Sequence, residues 1–161
     1  MLNRLLKTDN DVAATVARVV LGLVMFPHAA QKVLGWFGGY GIQGTLGFFS
    51  SIGIPTWLGV LVLVAEFGGA IALIVGGAGR LAAAGIVAVM AGAVLTSHLA
   101  NGFFMNWAGS QAGEGFEFHI LAAALASVVM IKGSGAFSLD GWLSRARVEI
   151  HEPAAEELAG V

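Results

Sequence analysis

The sequence contains no cysteine and few charged residues. The absence of cysteine excludes disulfide exchange, iron–sulfur clusters and thiolate zinc sites within this chain, so any redox chemistry would need a cofactor or a partner. Charged residues make up 11% and hydrophobic residues 57% of the 161 positions, whereas soluble domains carry about 25% charged residues. This composition is typical of a membrane protein. No Lys/Arg cluster exceeds the ordinary flank of a membrane helix, which excludes nucleic acid as a partner.

Four apolar segments predict an all-α, polytopic membrane protein with four transmembrane helices. They cover about residues 12–30, 57–78, 81–100 and 116–133. Each segment of roughly 17–22 residues is close to the ~20 residues needed to cross ~30 Å of hydrocarbon. We therefore predict a transmembrane domain over residues 1–142, a bundle of four helices, and a polar cytoplasmic tail over residues 143–161. A basic start before an apolar run is also typical of a secretory signal peptide, but Arg18 inside the run argues against that interpretation.

The segment between the first two helices, residues 33–56, is rich in glycine and aromatic residues. It is too broken for a span and too apolar for a solvated loop. We predict a re-entrant or interfacial segment, with a short helix near residues 43–50. In the third span, Ala84, Ala88 and Gly92 follow one another at four-residue spacing, which predicts a close approach of helix backbones.

Basic residues predict the orientation. Of the eight lysines and arginines, six lie on the side of the two termini: Arg4, Lys7, Arg80, Lys132, Arg145 and Arg147. By the positive-inside rule, both termini are cytoplasmic, in the cell (inner) membrane. Three of the four tryptophans lie near the opposite boundary, as interfacial aromatic belts require.

Polar side chains of three helices are predicted to converge near the extracytoplasmic surface. His28 and Lys32 end the first helix, His98 ends the third, and Glu117 and His119 begin the fourth. A single histidine there is typical of an ordinary interfacial position, whereas their convergence predicts a ligand-binding or proton-transfer cavity. Positions 117 and 119 differ by about 200° around a helix, so both side chains cannot face the bundle.

Two charges, Arg18 and Glu66, lie inside the first and second spans. An unpaired charge at mid-bilayer costs at least about 2.5–3.5 kcal/mol. We therefore expect the two side chains to face each other as an ion pair, or Glu66 to be protonated. The pair would either hold the helix register or act as a proton-linked or anion-binding element at the floor of the cavity.

Metal and haem are the weaker alternatives for this cavity. Three histidines and a carboxylate can form a metal shell, but the sequence lacks the compact spacing of H-x₃-H or H-E-x-x-H, so no metal site is predicted. A bis-histidine haem between the first and third helices is geometrically conceivable.

The chain resembles the DoxX family in an ordered set of short motifs. They are Arg18, P-H-x-x-x-K-x-x-G over residues 27–35, S-x-G-I-P over residues 51–55, Glu66 with Gly68 and Gly69, Gly79-Arg80, His98 before N-G-F-F, Gly115-Phe-Glu117, and G-x-G-x-x-S-L-D over residues 133–140. The set covers about residues 12–142. The resemblance implies a four-helix membrane protein, often linked to quinone-coupled oxidation of small sulfur compounds or to membrane oxidoreductase complexes. The related thiosulfate:quinone oxidoreductase subunits are the relatives with the best-defined function.

We therefore expect a membrane subunit of a quinone-linked oxidoreductase with a polar cavity open to the extracytoplasmic side. Glu66 and His98 are the candidate catalytic residues. The candidate ligand-binding residues are Arg18, His28, Lys32, Glu117 and His119. The ligand would be a quinone or a small anion, and other subunits of the complex would supply the electrons. The alternatives are a non-enzymatic membrane anchor or assembly subunit and, less favoured because the cytoplasmic side lacks a polar funnel, a small-molecule or proton permease.

Overall fold

The computed structural model describes residues 8–146, and all regular secondary structure in that range is helical. The main helices are α1 (Val12–Leu34), α2 (Gly41–Ser51), α3 (Thr56–Val75), α4 (Gly79–Ala93) and α5 (Glu117–Lys132). A further helix, α6, covers residues 139–146. The all-α prediction is confirmed, and the short helix predicted near residues 43–50 is α2. Arg4, Lys7, Arg147 and most of the predicted tail, residues 147–161, lie outside the described residues.

Within residues 8–146, three helices are long and apolar enough to cross a membrane: α1, α3, and α4 with its extension to Asn101. These three support a membrane protein. The fourth predicted span corresponds to α5, which has 16 residues. That is shorter than the ~20 residues that cross ~30 Å without tilt or thinning, so the fourth crossing stays a prediction.

Helix α1 has clear signals at both ends. The Asp11 side chain accepts hydrogen bonds from the backbone N–H groups of Ala13 and Ala14, at 2.8 and 3.1 Å, which satisfies two donors that a helix start leaves free. The helix ends at Gly35, whose φ of 71° suits glycine. The chain then turns back through Gly39, where a Cβ atom would lie 2.2 Å from the Gln31 carbonyl oxygen. Only glycine fits there, and this turn brings α2 against the end of α1.

The core lies between α1, α3, α4 and α5. Helix α1 contacts α3 and α5, and α4 contacts the same two helices. The shared cluster of buried side chains comprises Leu21, Met25, Ala70, Leu73, Ala83, Ile86, Met90, Ala122, Ala126 and Val129. Each helix contributes residues spaced by three or four, as expected for one packed face of a helix.

The expected ion pair between Arg18 and Glu66 is wrong. Arg18 is 1% exposed. Its guanidinium donates hydrogen bonds to the backbone carbonyls of Leu73 and Ile74 at the end of α3. It also donates to backbone carbonyls in the segment that follows α5. The physical reason is that the last carbonyls of a helix have no partner within the helix and form the negative pole of its dipole. Arg18 binds this pole, whereas Glu66 lies about two turns earlier in α3.

Asp140 closes the same end of the molecule. Its carboxylate accepts from the backbone N–H groups of Ala78 and Gly79, at 2.7 and 3.0 Å, and from the Ser134 hydroxyl at 2.6 Å. It therefore caps the start of α4, as an acidic side chain at a helix N-terminus does. Arg18 and Asp140 together tie residues 134–140 to the ends of α3 and α4.

Candidate functional site

A groove of about 580 Å³ lies between α2, α3 and α4. Its polar residues are Lys32, Glu66, His98, Thr96 and Ser97. The rest of its lining is apolar or glycine: Phe48, Phe49, Ile52, Ile54, Leu58, Leu61, Val62, Ala65, Gly85, Ala88, Val89, Gly92 and Ala93. Its volume is in the range of small-molecule sites, and an apolar lining with a few convergent polar groups is typical of such sites.

Lys32 and Glu66 form the charged part of the groove. The Lys32 ammonium lies 2.6 Å from Oε1 and 2.7 Å from Oε2 of Glu66. The Glu66 side chain is 2% exposed, and the Lys32 side chain is 35% exposed. The two carboxylate oxygens engage two of the three N–H donors of the ammonium, which leaves one donor for a ligand. Glu66 thus pairs with Lys32 and orients it. Sequence reasoning had paired Glu66 with Arg18 instead.

The backbone of Lys32 is also held in place. The hydroxyl of Thr45, a buried residue of α2, donates to the Lys32 carbonyl oxygen at 3.2 Å. This carbonyl belongs to the last turn of α1, where such groups lack a partner within the helix. Helix α2 therefore supplies both a wall of the groove and a fixed position for Lys32.

His98 is placed by an irregular helix end. After Ala93 the helix α4 widens into one π-helical turn, Val94–His98, a feature often found at functional sites. The His98 Nδ1 atom lies 2.9 Å from the Glu114 backbone oxygen. A carbonyl oxygen only accepts, so Nδ1 carries the hydrogen. The Nε2 atom of the neutral ring is then a hydrogen-bond acceptor.

His119 and His28 lie near this site but do not line the groove. The rings of His98 and His119 are 4.2 Å apart, and the His28 ring is 5.7 Å from that of Phe118. His119 is 8% exposed, and its Nδ1 atom is buried without a hydrogen-bond partner. Of the polar residues that were predicted to converge, Lys32 and His98 line the groove. His119 does not line it but contacts the ring of His98.

Glu117 points elsewhere. Its carboxylate accepts from the Met105 backbone N–H at 2.9 Å and so holds the loop after α4 to the start of α5. Of the two side chains that could not both face inward, His119 faces the interior and Glu117 faces the loop. Glu117 and Arg18 are not among the residues that line the groove.

The prediction of close helix packing at Gly92 is wrong. A Cβ atom built on Gly92 would have no heavy atom within 4 Å, because this position borders the groove. Sequence reasoning also missed the apolar walls from α2 and α3. Within residues 8–146, no three His, Asp or Glu side chains are grouped in a way that could hold a metal ion.

The fold and the groove define a helical membrane protein with a candidate site that combines a few polar side chains with apolar walls. The chain belongs to the DoxX family, whose profile matches residues 13–99. It is 27% identical over 96 residues to a protein of Bacillus subtilis (strain 168) named "Putative oxidoreductase CatD", a match that covers 60% of this chain and 67% of the relative. No solved structure matches the chain significantly.

Proposed function

We propose that this protein is the membrane subunit of a quinone-linked oxidoreductase and binds the quinone head group beside Lys32, Glu66 and His98. The observation that carries the proposal is the placement of these three side chains on an otherwise apolar groove. Membership of the DoxX family and similarity to a protein named as an oxidoreductase favour an oxidoreductase-associated role.

The donor set fits a quinone in its reduced form. A bound quinone would supply two-electron redox chemistry coupled to protons. The Lys32 ammonium has one N–H donor left for a ligand oxygen, and the neutral His98 ring offers Nε2 to a ligand hydroxyl. His98 therefore acts as the proton acceptor. Glu66 holds the Lys32 ammonium in position through both carboxylate oxygens.

Histidine suits this role because the imidazole ring can accept a proton at one nitrogen while the other nitrogen donates a hydrogen bond. In the proposal, His98 Nε2 accepts the hydroxyl proton, and the bond from Nδ1 to the Glu114 carbonyl stabilises the charged ring. His119, in ring contact with His98, and His28 form the layer behind it. Arg18 has a structural role and is not part of the site.

The proposed setting is the inner membrane, with four crossings and both termini cytoplasmic. The site then lies toward the extracytoplasmic side, at the end of α1. Electrons pass to or from another subunit, since this chain has no cysteine for an iron–sulfur cluster.

Quinone binding to the purified protein in nanodiscs tests the proposal. His98→Asn is the sharpest variant, because its amide can still donate to the Glu114 carbonyl while nothing replaces Nε2. We expect His98→Asn and Glu66→Gln each to weaken binding of a water-soluble quinol about tenfold, the effect of losing one good polar contact. Ser127→Ala is the control, because the Ser127 hydroxyl bonds only the Ala123 carbonyl on the exposed side of α5.

Wild-type affinity in both site variants would overturn the assignment. If these variants instead lowered thermal stability or the recovery of a partner protein, with no ligand effect, the protein would be a membrane anchor whose polar groups serve packing.

A further inference from the structure

We propose that His119 is a positioning residue that keeps on His98 the proton taken from a ligand. A ligand hydroxyl gives its proton to Nε2 of His98: the O–H bond breaks, its electron pair stays on the oxygen, and an N–H bond forms. After the ligand has left, Nδ1 of His119 accepts a hydrogen bond from this new N–H group. The inference rests on the proposed function for the source of the proton.

The Nδ1 atom of His119 is buried and has no hydrogen-bond partner. In the part of the chain that the structure describes, no other buried side-chain nitrogen or oxygen lacks a partner. Such exceptions are rare in proteins and are often functional. A neutral ring with its hydrogen on Nε2 leaves a lone pair at Nδ1, which is tolerated better than a buried N–H group without an acceptor. We therefore assign a free acceptor to this position.

The rings of His98 and His119 are in direct contact. Their centroids are 4.2 Å apart and their planes are tilted by 45°, so that edge atoms of the two rings touch. Because Nδ1 of His98 is bonded to the Glu114 carbonyl oxygen, Nε2 is the nitrogen that gains a proton. The charged ring then has a second N–H donor, and His119 Nδ1 is the neighbouring free acceptor.

The surroundings of His119 oppose a charge on its own ring. The side chain is 8% exposed, and burial penalises a charged ring. The basic side chains near it are His98, Lys32 and His28, which repel a second positive charge. Of the two rings in contact, His98 is therefore the one that holds the proton, and His119 keeps its lone pair.

The carboxylates around the two rings have other partners. Glu66 holds Lys32, while Glu114 and Glu117 accept hydrogen bonds from backbone N–H groups of the loop after α4. Among residues 8–146, no carboxylate forms an ion pair with His119. A neutral nitrogen is thus the acceptor that the site offers to charged His98.

Two variants separate this role from a packing role. His119→Leu removes the acceptor and keeps a buried side chain, whereas the amide oxygen of His119→Asn can take the place of Nδ1. Phe118→Leu is the matched control. It introduces the same side chain in place of a ring that contacts His119 and has no hydrogen-bonding group.

Thermal unfolding in detergent between pH 8 and pH 5 is the first measurement. At pH 8, His119→Leu should melt about 2–4 °C above the wild type, because it removes a buried acceptor that has no partner. As the pH falls, the folded wild type holds a proton that the variant holds less well, so the wild type should gain stability relative to His119→Leu. His119→Asn should follow the wild type, and the offset of Phe118→Leu should not change with pH.

A histidine that serves only packing gives the opposite result. A buried neutral ring must take up a charge in acid, so the wild type would lose stability relative to His119→Leu as the pH falls. That outcome, or a constant difference between the two proteins, overturns the inference.

Nitrogen-15 NMR of the wild type, labelled at histidine, needs no variant. In acidic solution, a coupling across an N–H···N bond should join Nε2 of His98 to Nδ1 of His119. Its absence overturns the inference even if His119→Leu fails to fold.

Neither measurement uses a quinone, so failure of the proposed function gives a different result. If no quinol binds the wild type while the coupling is present, the proposed function is wrong and the role of His119 stands. If quinol binds and the coupling is absent, the proposed site stands and His119 has no part in holding the proton.

Discussion

Replacing Arg18 with lysine keeps the positive charge and removes the branched guanidinium. In the wild type, this group makes five hydrogen bonds to backbone carbonyls, at 2.6, 2.7, 2.7, 2.9 and 3.4 Å. A lysine ammonium has three donors at one atom, so at least two of these carbonyls lose their hydrogen bond to residue 18. Each hydrogen bond to a charged group contributes about 1.5–3 kcal/mol.

We expect Arg18→Lys to lower the free energy of unfolding by about 3 kcal/mol, because some carbonyls at this end of the molecule regain water. For a chain of this length, this loss corresponds to a fall in Tm of about 6–12 °C. Thermal unfolding in detergent, followed by tryptophan fluorescence, measures the change. Arg145→Lys is the control, since Arg145 is exposed on α6 and should shift the Tm by less than about 2 °C.

An Arg18→Lys protein that unfolds at the wild-type temperature would refute this reasoning. The variant also separates the two roles considered for Arg18. Below its Tm it should bind quinol with wild-type affinity, because Arg18 does not line the groove. A loss of binding by folded protein would restore the ligand role that the sequence suggested.

Further predictions concern the charged pair and the ends of α1. Lys32→Met should lower stability by about 2–3 kcal/mol, more than Glu66→Gln at about 1 kcal/mol, because Glu66 is the more deeply buried partner; equal losses in separate melts would contradict this. Thr45→Val should cost about 1 kcal/mol through the lost bond to Lys32, and an unchanged Tm would show that this bond adds nothing. The Ala14 N–H above all, with Lys132, lowers the pKa of Asp11, so charged Asp11 stabilises the fold at neutral pH and loses this effect as pH falls through the lowered pKa. Asp11→Asn should therefore melt below the wild type at pH 7 and converge with it in acid; parallel curves would contradict the electrostatic origin.

The candidate site shows which contacts can be predicted by counting residues along a helix and which cannot. Counting residues from each helix end correctly brought Lys32 and His98 to one end of the molecule, since rise per residue is nearly constant. The same counting put Arg18 and Glu66 within reach of each other, and there it failed. The depth of a residue does not show which groups compete for its side chain. The free carbonyls at the end of α3 bind Arg18 more completely than one carboxylate could.

Small residues mark a second limit. Ala88 and Gly92 have the spacing of a close helix contact, yet they border an open groove. Small residues show only that no large side chain fills the space beside them. Whether a neighbouring backbone or a ligand takes the space depends on where α2 and α3 lie.

The sequence by itself determined the class of protein and the main helices. Long apolar runs need lipid or a core around them, and local signals such as Asp11 and Gly35 act within one turn of the helix end, so neither depends on distant contacts. Only the tertiary structure decided that Lys32 pairs with Glu66, that the Glu114 carbonyl sets the hydrogen of His98 on Nδ1, and that Gly92 faces empty space. Each of these depends on residues that are remote in sequence and become neighbours only when the helices pack.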